Sequence, residues 1–136
     1  MEKPLKSILI VDDDEVSNMI TTLTLNAHHV TQEVHTVLNG VAAIDYLKTQ
    51  RGNFPQLILL DINMPLMNGM EFLEYWQQNN LTGSAKISMY TTSIRHEDKE
   101  QAFQYEDVIA YIEKPLSKDK IDNILRVLQL KETYRS

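Results

Sequence analysis

Two kinds of segment alternate along the chain. Short apolar runs that end in polar or turn residues occur at SILIVDDD (7–14), QEVHTV (32–37), QLILLD (56–61), KISMYTT (86–92) and DVIAYIEKP (107–115). Between them lie stretches with helical spacing. Val16, Met19, Ile20, Leu23 and Ala27 recur at three- and four-residue steps, as do Gly69, Phe72, Leu73 and Trp76, and Ile121, Ile124, Leu125 and Leu128. The segment from Asn39 to Lys48 turns Ala43, Ile44 and Leu47 to one face, and Ser117 stands where it can cap the last helix. The pattern predicts strand then helix, repeated through the chain, which implies a parallel sheet with helices on both faces. The first, third and fourth runs are continuous rather than alternating, as strands covered on both faces require. The stretch RHEDKEQAF (95–103) is the exception: nearly all charged, with little apolar face, it predicts a weakly anchored helix able to move.

After the fifth helical stretch only KETYRS remains, so the expectation is one domain over residues 1–136, with a core of about 6–131 and no effector domain. The apolar runs are too short to span a bilayer, and the N-terminus carries no leader pattern. Cysteine is absent, which excludes disulfides and thiolate chemistry and is compatible with a cytoplasmic protein. Thirteen basic residues against nineteen acidic give a net charge of −6 with no basic stripe, so direct nucleic-acid binding is not expected.

In an open parallel sheet, ligands bind at the carboxyl ends of the strands. The first run ends in Asp12, Asp13 and Asp14, the third in Asp61, the fourth in Thr91 and Thr92, and the fifth in Glu113, Lys114 and Pro115. Carboxylates from neighbouring strands repel unless a cation lies between them. Mg²⁺ (or Mn²⁺) suits such a site, because it takes one or two carboxylates and keeps positions for water and phosphate oxygens. Asp12, Asp13 and Asp61 fit that demand, and the backbone carbonyl of Asn63 can add an oxygen. Lys114 then serves as a point charge and Thr91 as a hydroxyl donor, leaving Asp61 placed as a nucleophile toward phosphorus. Taken singly, each feature has an ordinary reading. DDDE suits a helix start, Asp61 can cap a turn, and TT and KP are common at strand ends and in loops. His28, His29, His35 and His96 read as surface residues with no metal spacing. The conjunction on separate strand ends is what carries the chemistry.

With ILIVDDDE, LILLDINMPLMNG, ISMYTTS and YIEKPL in this order, nearly the whole chain resembles a bacterial response-regulator receiver domain. The resemblance implies a flavodoxin-like, five-stranded doubly wound sheet in order 2-1-3-4-5. It implies phosphoryl transfer from a histidine kinase or histidine phosphotransfer protein to Asp61, with Asp12 and Asp13 holding the metal. It also implies that Asn63 is the carbonyl ligand, Thr91 the switch hydroxyl, Lys114 the phosphate contact and Tyr111 the aromatic switch. Lys114–Pro115 is then expected to be cis. The output would be a changed surface on the fourth helix, fifth strand and fifth helix, read by a protein target or by a second copy in a homodimer. Thr92 departs from the small residue many members carry there. Asp14 is a third acid, read as helix-start charge.

ILIVDDDEV also fits the Asp-x-Asp signature of haloacid-dehalogenase-like phosphatases, with Asp12 as nucleophile and Asp14 as general acid. That reading puts Asp119 and Asp122 in an amphipathic helix rather than after a strand. It leaves little room for a substrate-covering cap and gives LILLD no task. A third class, a scaffold of the same fold that is never phosphorylated, is opposed by the complete acid–Thr–Lys set.

Overall fold

The computed structural model describes residues 3–135, with side chains described through residue 129. Strands β1 (Leu5–Val11), β2 (Thr31–Val37), β3 (Leu57–Leu60), β4 (Lys86–Thr91) and β5 (Val108–Glu113) alternate with helices α1 (Glu15–Ala27), α2 (Gly40–Lys48), α3 (Gly69–Gln78), α4 (His96–Ala102) and α5 (Lys118–Arg135). All neighbouring strands are parallel, in the order β2-β1-β3-β4-β5. The predicted architecture and order are therefore observed, and β2 is an edge.

The period of two along each strand divides the core. Leu9, Val11, Ile58, Leu60, Ile87 and Met89 face one side, where Ala43, Phe72, Trp76 and Ala102 of α2, α3 and α4 cover them. Ile8, Ile10, Leu57, Leu59, Tyr90 and Ile112 face the other, under Leu25 of α1 and Ile121, Ile124 and Leu128 of α5. β3 is buried at every position, so LILL is held from both faces and cannot shift.

Caps fix where the helices leave the rim. Asp14, Asn39 and Asn68 each accept a backbone N–H from the first turn of α1, α2 and α3. Asn68 and Glu71 form a full capping box. Ser117 accepts the Lys120 N–H at 3.3 Å at the start of α5. α4 has no side-chain cap, and Ala102 is its buried residue, in keeping with the thin apolar face read from RHEDKEQAF.

α1 corrects the sequence reading. Its apolar stripe, Val16, Met19, Ile20 and Leu23, is more than half exposed at every position, and Ala27 is exposed too. The residues turned to the sheet are Asn18, Thr21 and Leu25. The polar face can lie inward because it finds partners there. Asn18 Nδ2 donates to the Asp12 carbonyl at 2.9 Å, and Thr21 Oγ1 shares a 3.0 Å hydrogen bond with the Tyr90 hydroxyl. Among the described residues no helix is long and apolar enough to cross a membrane.

Candidate phosphoryl-transfer site

The strand ends gather the acids. β1 runs into Asp12 and β3 into Asp61, and the Asp61 N–H donates to the Val11 carbonyl at 3.0 Å, continuing the ladder to the rim. Asp12, Asp13 and Asp61 bring carboxylate oxygens within 4.8 Å of one another. Asp12 is 1% exposed and Asp61 9%, while Asp13 is exposed. Lys114 reaches across from the end of β5. Its ammonium donates to Asp61 Oδ2 at 3.0 Å and to Asp12 Oδ2 in a short contact. The remaining oxygens are held locally, Asp12 Oδ1 by the Asp14 N–H at 3.0 Å and Asp61 Oδ1 by the Ile62 N–H at 2.7 Å.

These contacts set the proton affinities. Burial lifts the Asp12 carboxyl above its ordinary value, and the nearby Asp61 charge adds to that lift. The Lys114 hydrogen bond and the Asp14 N–H oppose it without cancelling it. Burial also works against the Lys114 ammonium, yet hydrogen bonds and charge from the two carboxylates outweigh it and raise Lys114 above its ordinary value. An acid pair whose members are this close, one of them disfavoured as an anion by its surroundings, is suited to a divalent cation, which reverses the penalty.

A family profile described as the response regulator receiver domain matches residues 8–126. The chain belongs to the response-regulator receiver domain family. It is 32% identical over 120 residues to two-component response regulator 24 of Arabidopsis thaliana, covering 88% of this chain and 81% of that protein. Against the response regulator Rcp1 of Synechocystis it is 31% identical over 100 residues, covering 70% and 67%. Among solved structures, a two-component response regulator from Cytophaga hutchinsonii superposes with a TM-score of 0.86 at 28% identity, covering 93% of this chain and 98% of that one. A CheY-like receiver domain protein from Methanospirillum hungatei gives 0.76 at 30% identity, covering 96% and 98%.

The other expected receiver residues lie around this pocket. Asn63 is exposed in the β3–α3 loop. That loop is pinned where the Gly69 N–H donates to the Ile62 carbonyl at 2.8 Å and the Gly40 N–H to the Met67 carbonyl at 3.0 Å. Leu66, between those pins, is 82% exposed and holds φ at 66°, a left-handed backbone unusual for a branched side chain. Thr91 is fully buried and Thr92 exposed. The Thr91 carbonyl accepts the Lys114 N–H at 3.0 Å, so β4 and β5 stay paired up to the lysine. Lys114–Pro115 is cis. Tyr111 packs against Met89's side of the core.

Two side chains near the site, Tyr90 and Thr21, were not singled out from the sequence, and neither were the contacts that Ser93 makes. Ser93 connects Thr91, Tyr111 and α4. Its N–H donates to Thr91 Oγ1 at 3.2 Å, its hydroxyl donates to Asp98 at 2.8 Å, and its carbonyl accepts from Tyr111. Tyr90 lies beneath Lys114 with Thr21 at its hydroxyl. The sequence does carry one signal for Tyr90: a phenol inside a strand covered on both faces needs a polar partner, and the threonine-rich α1 offers one.

Proposed function

We propose that this receiver domain accepts a phosphoryl group on Asp61 and uses the modification to switch a protein-interaction surface. The observation that carries the reading is the contrast between the two buried acids. Each carboxylate has both oxygens hydrogen-bonded, but Asp12 is almost inaccessible at 1% exposed, whereas Asp61 is 9% exposed at the rim, with Lys114 3.0 Å from one oxygen. In transfer from a phosphohistidine, an Asp61 oxygen attacks phosphorus in line. The P–O bond to Asp61 forms as the P–N bond breaks, and its electron pair leaves with the imidazole. Lys114 offsets charge on the transferring oxygens. Asp12, Asp13, Asp61 and the Asn63 carbonyl would hold Mg²⁺ or Mn²⁺, which when bound neutralises phosphoryl charge.

The phosphodonor is a histidine kinase or a histidine phosphotransfer protein. The exposed apolar stripe of α1, which begins just past Asp14, supports a protein donor: exposed apolar surface beside a reactive mouth suits a docked partner. The altered state is read on α4, β5 and α5, by a protein target or a second copy of the chain.

The test is labelling by acetyl phosphate with Mg²⁺, then mapping of the acyl phosphate. Label is expected on Asp61 and lost in Asp61→Asn. Label on Asp12, or turnover of ordinary phosphate esters, would establish the phosphatase reading instead. No labelling and no Mg²⁺ binding would leave a scaffold.

A further inference from the structure

We propose that Tyr90 is a positioning residue for Lys114, and that Thr21 of α1 holds Tyr90 in place. The inference rests on the reading of Asp61 as phosphoacceptor and extends it to residues outside the acid pocket. Tyr90 is 2% exposed, on the α1 and α5 side of the sheet among Ile10, Leu59 and Ile112. An aliphatic side chain would fill such a place without a polar atom. The phenol instead spans two elements. Its oxygen accepts the Leu116 N–H at 3.1 Å and shares the 3.0 Å hydrogen bond with Thr21 Oγ1.

Leu116 is joined to Lys114 through Pro115, so the Tyr90 hydroxyl fixes the backbone just beyond the lysine. The ring of the same residue lies under the lysine itself, with the ammonium 5.5 Å from its centroid. One side chain thus constrains both the turn that carries Lys114 and the place where its charge rests. The ring contact uses none of the ammonium N–H groups. Two of these reach Asp12 and Asp61, and the third is left for an incoming phosphoryl oxygen. The arrangement also accounts for the inverted α1: Thr21 must face the sheet to meet Tyr90, and the apolar residues of the helix then face outward.

Two nearly isosteric variants test this, Tyr90→Phe and Thr21→Val, each compared with the full wild-type chain. The measurements are the rate of acetyl phosphate labelling with Mg²⁺ and the Lys114 side-chain NMR resonances before any phosphorylation. Tyr90→Phe keeps the ring and removes the hydroxyl. It should slow labelling about three- to tenfold and displace the Lys114 resonances. Thr21→Val should move both in the same direction, and the double variant should add little to Tyr90→Phe, because both substitutions break one chain of contacts. A folded variant with unmoved Lys114 resonances overturns the proposal. So does one whose resonances move while the rate stays within about twofold of wild type. If Tyr90→Phe does not fold, Thr21→Val decides by the same two readouts. If the wild type is not labelled on Asp61, the phosphoacceptor reading fails on its own, and the Lys114 resonances still judge the positioning.

Discussion

The Tyr111 hydroxyl donates a hydrogen bond to the backbone carbonyl of Ser93 at 3.0 Å. Ser93 is also the donor to Thr91 Oγ1, at 3.2 Å, and to Asp98 of α4, at 2.8 Å. A displacement of the Thr91 side chain therefore acts on the residue that holds both the aromatic ring of β5 and the start of α4. A sub-ångström shift at one packed group is enough to bias such an element between two arrangements.

Replacing Thr91 with Ala should leave Asp61 open to labelling by acetyl phosphate. The chemical-shift changes that phosphorylation produces at Tyr111 and across residues 93–98 should shrink. If they persist at full size, the signal does not pass through Thr91.

The phenol of Tyr111 should ionise only above pH 10. Burial is the main cause, and the Asp98 and Asp61 charges add to it, while the Ser93 side chain partly opposes them. Since the folded state holds this proton more tightly than the unfolded one, the contribution to stability is fully present below pH 10. It is lost as pH rises from there through the folded value. Tyrosinate absorbance of the wild type minus that of Tyr111→Phe isolates the titration. A component appearing at or below the ordinary tyrosine value would show that the contact is not kept in solution.

Gly69→Ala should destabilise the fold by about 1–3 kcal/mol in urea unfolding. A methyl group there meets the Asp61 carbonyl oxygen and the Ile62 Cα, which are backbone and cannot swing away. The constraint is space for the chain at the start of α3, and relief requires moving the strand end that carries Asp61. Labelling of Asp61 should slow in the same variant.

Asp107→Ala should cost more, about 3–5 kcal/mol. The carboxylate is buried and accepts from Trp76 Nε1 at 2.9 Å, the Gly83 N–H at 2.7 Å and Lys86 Nζ at 3.3 Å. Its loss strands a mostly buried lysine and two donors. These groups lie at the sheet end opposite the acid pocket, so the folded fraction should be labelled at the wild-type rate.

The strands were legible because each is an apolar run too short for a helix and closed by polar residues. β1, β3 and β4 declared themselves central by having no polar alternation, and Asp12 and Asp61 were legible as the polar residues that close two of those runs. The direction of α1 was not. Hydrophobic periodicity locates a stripe but assumes that the stripe faces the core. That assumption fails when the opposite face is made of Asn18 and Thr21 and the sheet supplies a carbonyl and a phenol to meet them. The role of Ser93 was illegible for a related reason. Its backbone N–H and carbonyl carry two of its contacts, and any residue but proline offers those same groups, leaving no mark on the sequence.

Trp76 is the single tryptophan of the chain, almost fully enclosed, and its indole N–H is committed to Asp107. Near the pocket and its loop the fluorophores are tyrosines, Tyr90 beneath Lys114 and Tyr111 at Ser93. Tryptophan emission thus comes from the end of the sheet away from the acid pocket. Tryptophan fluorescence is an internal gauge of whether the domain is folded, read in the same cuvette in which the phosphoryl pocket is being labelled at the other end of the sheet.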